Sequence, residues 1–244
     1  GGYHVGSRNA AMAVNTTGGA NSAFGVGALA ANTTASNNTA VGHSALGANT
    51  TGANNVAIGL SALGANISGG FNTASGYKAL ISNTTGNHNT ATGFHSLNTN
   101  TTGGNNTASG NYSLFYSTTA SDNTATGYSA LYRNTTGASN VAVGKSSLEN
   151  NTTASNNTAV GYFSLKANTT GADNTAMGSG AGTALTTGGN NTAIGRLALA
   201  TATTPANNTA VGLSALRFTT TGANNTATGM NSLTSNTTGG SNVA

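Results

Sequence analysis

Acid–base catalysis by paired carboxylates needs two acids side by side, and the 244 residues carry only Asp122, Glu149 and Asp173. Imidazoles are equally sparse, with His43, His88 and His95 the ones that fall in well-formed repeats. The stretch Gly178-Ser179-Gly180-Ala181-Gly182 has the look of a phosphate loop, but no Lys-Ser/Thr follows it. N-glycosylation sequons are abundant, beginning at Asn15, Asn32, Asn49, Asn66, Asn83, Asn100, Asn134, Asn151, Asn168 and Asn236. Side chains able to stack on a sugar ring or seat another subunit cluster mid-chain: Tyr77, Phe94, Tyr112, Phe115, Tyr116, Tyr128, Tyr132 and Arg133. Thr90-Ala91-Thr92 and Thr226-Ala227-Thr228 are outward T-x-T candidates of a different kind.

What positions all of these is a repeat. Asn followed by Thr, Ser or Val, then Ala, one variable residue and Gly begins at Asn21, Asn38, Asn55, Asn72, Asn89, Asn106, Asn123, Asn140, Asn157, Asn174, Asn191, Asn208 and Asn225, always 17 residues apart. Numbered from that Asn, the coil reads N-T-A-V-G-x-x-A-L-x-x-N-T-T-G-A-N. A degenerate copy spans 4–20, thirteen good copies span 21–241, and the chain is expected to be a window of a longer repetitive protein. The fold class expected is a β-solenoid, a parallel β-roll of about fourteen coils, roughly 65–70 Å long at strand spacing.

Position 3 is Ala from Ala23 to Ala227, position 9 is Leu from Leu29 to Leu233 except at Gly182, and position 8 is Ala or Ser, so these face the core. One Leu is worth ~1.5–3 kcal/mol when buried, while backbone ordering costs ~1–2 kcal/mol per residue, so a single coil cannot fold without its neighbours. N-T-A-V-G reads as a short strand with positions 2 and 4 outward. Positions 5, 8, 9 and 12 have the spacing of one helical face, which predicts a tight helical turn or a second strand through G-x-x-A-L-x-x-N. Stacked Asn at positions 1 and 12 predict amide ladders, and the Gly at position 15 predicts a turn with positive φ. Leu185, Ala202 and Thr219 at position 12, with Gly182 at position 9, predict irregular coils over 174–224.

Within this frame most of the chemistry disperses. Asp122 and Asp173 share position 17 three coils apart, roughly 14 Å, too far to work as a pair. Glu149 and Lys166 share position 10 in successive coils, the spacing of a surface ion pair. The three histidines hold different positions and are expected to be solvated, converging on no metal, and the glycine stretch is a decayed repeat. The ten sequon Asn named above share position 12, where inward ladder side chains could not carry glycans. Most of the Tyr and Phe and six of the seven basic residues sit at positions 6, 7, 10 and 11, outward.

Composition agrees with a structural part. Charged residues are 4%, Cys is absent, and the formal net charge is +4. That surplus is too thin for a nucleic-acid stripe, thiolate zinc and disulfides are ruled out, and no apolar run approaches the ~20 residues of a membrane span.

The wording N-V-A-I-G at Asn55 to Gly59, and N-N-T-A-V-G-H-S-A-L at Asn37 to Leu46, resembles the head repeats of YadA-like trimeric autotransporter adhesins and related bacterial or phage surface-fibre proteins. The resemblance implies a left-handed parallel β-roll, association of three chains, and binding to host surfaces. This chain departs in its longer coil, its Leu at position 9 and its T-T-G-A-N return. The expectation is a non-enzymatic extracellular fibre or adhesin shaft without cofactors. Its partner would be itself, as a trimer or end-to-end polymer, with host surfaces or glycans as further partners. Ice binding through outward Thr ranks, similar to those of insect antifreeze solenoids, is the alternative.

Overall fold

The computed structural model describes residues 11–244 and the backbone of Val5–Gly6. The degenerate coil 4–20 therefore lies partly outside the described residues. The chain forms two compact units, 1–122 and 123–244.

In the first unit the strands are β1 (Val5–Gly6), β2 (Ser22–Phe24), β3 (Thr39–Val41), β4 (Val56–Ile58), β5 (Thr73–Ser75), β6 (Thr90–Thr92) and β7 (Thr107–Ser109). The second holds β8 (Thr124–Thr126), β9 (Val141–Val143), β10 (Thr158–Val160), β11 (Thr175–Met177), β12 (Thr192–Ile194), β13 (Thr209–Val211) and β14 (Thr226–Thr228). Within each unit every strand pairs in parallel with the next, at a register of one repeat: Ala40 opposite Ala57, Ala159 opposite Ala176. The protein is a β-solenoid. From β2 to β14 the central Ala points inward and its neighbours outward, as the strand pattern requires. Leu46, Leu63 and Leu80 form a column with no exposure in the first unit, and Leu131, Leu148 and Leu165 are likewise fully buried in the second.

The segment after the strand is neither helix nor strand, which corrects the expectation for positions 5–12. In coil 38–54 the N–H groups of Ala45, Gly47 and Asn49 donate to the carbonyls of Gly42, Ser44 and Leu46, closing three overlapping turns. The N–H groups between them reach other coils: Ser44 to the Val26 carbonyl, Leu46 to Ala62, Ala48 to Gly64. A helix spends all its N–H groups on itself and needs ~8–10 Å to its neighbour. By giving every second N–H to an adjacent coil, this segment keeps the ~4.8 Å spacing of the strands. Its inward set is still positions 8, 9 and 12, because chained turns return to the same side with the spacing of a helix.

Chaining the turns demands left-handed backbone at positions 7 and 9, with φ of +54° at Ser44 and +49° at Leu46. Such a conformation costs a non-Gly residue ~1–2 kcal/mol, which the burial of Leu offsets in each coil. At Gly182 the same φ, +56°, is free of strain but leaves the large side chain missing. Leu185 fills the gap: a Cβ on Gly182 would lie 3.1 Å from Leu185 Cδ1 and 2.9 Å from Leu165 Cδ2. Over 174–224 the backbone keeps its register through β11, β12 and β13, so the expected irregularity is confined to side chains. No slip of Ala184-Leu185 occurs, since the Leu185 N–H closes its turn on the Gly182 carbonyl at 3.0 Å as position 12 does elsewhere.

Positive φ at glycine recurs at position 5, and occurs at Gly27, Gly180 and Gly182, but not at position 15. Gly42 has φ +131°, and a Cβ there would lie 2.5 Å from the Gly59 carbonyl oxygen of the next coil. Position 15 has no positive φ; a Cβ on Gly52 would instead crowd the Gly69 carbonyl and lie 2.6 Å from Asn49 Oδ1. The constraint there is close approach, which Ala35, Ala120 and Ala154 show can be relieved by a small shift.

Two buried Asn columns join the coils. Asn66 Nδ2 donates to Asn49 Oδ1 of the preceding coil at 2.8 Å and to its own Gly69 carbonyl at 2.9 Å. From position 1, the Asn55 N–H donates to Asn38 Oδ1 at 2.9 Å while its Nδ2 donates to that same Gly69 carbonyl at 2.9 Å. The position-12 ladder breaks where its residue changes, and Asn100 Oδ1, Ser117 Oγ and Asn168 Oδ1 are left buried without a partner among the described residues.

Ser117→Asn is expected to mend one break, supplying a donor to Asn100 Oδ1 and to the Ala120 carbonyl, and to stabilise the first unit by about 1–2 kcal/mol in chemical denaturation. Asn66→Ala deletes bonds of 2.8, 2.9 and 2.8 Å and should cost about 2–4 kcal/mol. Unchanged denaturation midpoints in both variants would show the ladder to be energetically idle.

Candidate functional site

Stacking at one coil per ~4.8 Å brings outward positions 6, 7 and 10 of successive coils into contact. In the first unit Tyr77 and Phe94, both at position 6, stack with centroids 5.2 Å apart and planes within 10°. Phe94 meets Tyr112 edge-on at 5.4 Å, Tyr112 meets Phe115 at 5.8 Å, and Phe115 meets Tyr116 at 4.8 Å. Five of the eight residues singled out in the sequence are thus brought together. Tyr128, Tyr132 and Arg133 belong to the second unit, where Lys145 Nζ lies 5.9 Å from the Tyr128 ring centroid.

The centre of the first-unit cluster is His95, expected to be solvated and in fact half-buried. Its ring lies 4.3 Å from Phe94, 5.3 Å from Tyr77 and 5.8 Å from Phe115, and parallel to Tyr112 at 6.0 Å. Asn98 Nδ2 sits 2.8 Å from His95 Nδ1. As an amide nitrogen can only donate, this contact makes Nδ1 the acceptor and leaves the proton of neutral His95 on Nε2. Burial, then the charge of Lys78, holds the His95 pKa below the ordinary imidazole value. Only its aromatic neighbours at adjacent positions of the flanking coils could have signalled this. The other two histidines of the well-formed repeats lie apart: His88 stacks on Phe71 at position 17, centroids 5.0 Å apart, and His43 is exposed beside Ser44 Oγ.

Parallel rings one coil apart turn their faces along the coil axis and their edges to solvent. Tyr77 and Phe94 are each 39% exposed, yet the ring faces between them are closed by the stack, and Lys78 Nζ lies 5.2 Å from the Tyr77 centroid. The cluster is built to join coils and to present ring edges, a phenol and an imidazole.

The remaining candidates are placed as follows. Lys166 Nζ and Glu149 Oε2 form an ion pair at 3.6 Å with both side chains partly exposed, a contact of small energetic weight. Asp122 accepts from Asn105 Nδ2 at 3.0 Å. The sequon residues from Asn32 to Asn168 are fully buried in the ladder, closed to glycans once the coil has formed. Gly178–Gly182 keep the conformations of their repeat positions, with Gly182 in the core. Among the described residues no group of three or more His, Asp or Glu could hold a metal ion. No helix is long and apolar enough to cross a membrane.

Because the His95 pKa is lowered in the folded state, the unfolded chain binds its proton more readily. The stabilisation from neutral His95 is complete above the ordinary value of 6.5 and declines as pH falls below it toward the folded pKa. An NMR titration of His95 should give a midpoint below 6.5 that rises in Lys78→Gln, with thermal stability of the first unit falling in the same acid window. A midpoint at or above 6.5 would refute the assignment.

Comparison with protein-family models, with curated proteins and with solved structures returns no match to this chain.

Proposed function

We propose that this chain is the shaft of an extracellular fibre or adhesin, a structural element that acts by coil stacking and by self-association with further copies. One observation carries the reading: within each unit buried Asn side chains join successive coils wherever Asn recurs at positions 1 and 12. The position-13 hydroxyls add a third row, Thr84 Oγ1 donating to the Thr101 carbonyl at 3.0 Å and Thr152 to Thr169 at 3.1 Å. Most of the sequence variety is left on the flanks, where a repeating shaft can carry recognition without altering its core. The Thr-rich, nearly uncharged stack suits exposure outside a cell, and the absence of Cys leaves the redox compartment open. A trimer or an end-to-end polymer are the two assemblies this reading admits.

Sedimentation across a concentration series, with electron microscopy of the same samples, is expected to show fibres of threefold symmetry or continuous polymers. A protein that stays monomeric up to its solubility limit would overturn the proposal.

Ice binding remains the second reading, for a reason specific to the structure. Position 14 is outward in every good coil and is Thr throughout except at Ser68, as in Thr34, Thr51 and Thr85. The rank at strand position 4 is broken by Phe24 and Met177, both exposed. Thermal hysteresis that is lost on replacing Thr51, Thr85 and Thr102 together by Lys would support this reading, and its absence in the unaltered protein would dismiss it.

A further inference from the structure

The second unit carries its cations on one side only. Arg133, Lys145, Lys166, Arg196 and Arg217 all stand at positions 6, 10 or 11, while its two acids are Glu149, paired with Lys166, and Asp173 at position 17. Lys145 and Arg196 share position 6 three coils apart, and Lys166 and Arg217 share position 10 three coils apart, about 14 Å in each case. Between these flanks the position-7 row is sunk: Ser129, Ser146 and Ser214 are 7%, 5% and 6% exposed, interrupted by the half-buried Phe163 and Leu197. Aromatic rings hold cations in place along the flanks. Lys166 Nζ lies 4.2 Å from the Phe163 centroid and the Arg217 guanidinium 5.0 Å from that of Phe218.

We propose that this flank of the second unit binds an acidic polysaccharide, lying along the coil axis with its carboxylates or sulfates against the basic side chains. The proposal rests on the reading of the chain as a surface shaft and names the class of its partner. Three features select a linear, sugar-based polyanion. The cations follow the axis through five of six successive coils rather than spreading over a plane, as a bilayer surface would need. Phe163 is engaged on both sides, by Tyr162 at 3.9 Å and by Lys166, which leaves less ring face for the stacking of single-stranded bases. The sunk row of hydroxyls offers donors and acceptors to sugar hydroxyls.

The test is calorimetry on the full-length chain, unassembled at low concentration, with polygalacturonate, dextran sulfate and uncharged dextran. Polygalacturonate or dextran sulfate should bind and uncharged dextran should not, the two polyanions separating carboxylate from sulfate preference. Replacing Arg133, Lys145, Arg196 and Arg217 together by Gln should weaken binding at least tenfold, with the same thermal melt as the parent. The slope of log affinity against log salt should fall by roughly 0.7–0.9 per cation removed. Polyanion binding that survives the fourfold substitution, or none at low salt, overturns the proposal. So does tighter binding to phosphatidylglycerol vesicles or oligothymidylate than to either polysaccharide. Because self-association is read separately by sedimentation, failure here leaves the shaft reading standing, and failure of the shaft reading shows in sedimentation alone.

Discussion

The structure depends on one carbonyl per coil. At position 15 a single backbone oxygen accepts from two side-chain amides, as the Gly52 oxygen does from Asn38 Nδ2 at 3.0 Å and Asn49 Nδ2 at 2.9 Å. Each of those amides is also tied to the coil before it, through Asn38's backbone N–H to Asn21 Oδ1 and Asn49 Nδ2 to Asn32 Oδ1. Turn, strand entry and neighbouring coil are thereby fixed at one point. Buried amides are costly when unpaired and specific when fully paired. Here the pairing is complete wherever Asn recurs and incomplete at Asn100 and Asn168, where it does not.

This bonding scheme sets the coil spacing, and the spacing sets everything else. Carbonyl-to-amide contacts every ~4.8 Å leave no room for a helix, so the eight residues after the strand fold as chained turns. Chained turns force Leu into left-handed backbone, and only its complete burial makes that tolerable. Outward side chains then stand one coil pitch apart, close enough for Tyr77 and Phe94 to stack and for Lys166 to reach Glu149.

Columns were legible in the sequence because a strict 17-residue period can only superpose like on like. Ala40, Leu46, Asn38 and Asn49 could be assigned inward without coordinates, and so could the Leu185 replacement of the ladder. Backbone conformation was not legible. Spacing at positions 5, 8, 9 and 12 is the same for a helical face and for overlapping turns, and Leu at φ +49° contradicts its own preference. Glycine at position 15 pointed to φ when the cause was the crowding of one carbonyl. His95 was missed because its environment comes from Tyr77, Tyr112 and Phe115, which surround it only once side-chain directions in three coils are known. The aromatic stripe was visible as a list, but that its rings face one another was not.

Wherever Asn recurs at position 12 the amides point the same way: the later Asn donates to the one seventeen before it. In each ladder the leading coil therefore holds an empty acceptor out to whatever is added, while the trailing coil has already spent its donor. The position-13 hydroxyls run the opposite way, Thr84 donating to the Thr101 carbonyl of the following coil. Each face of a coil thus offers both donors and acceptors, so either end of a stack within a unit can receive a further coil, through different atoms at the two ends.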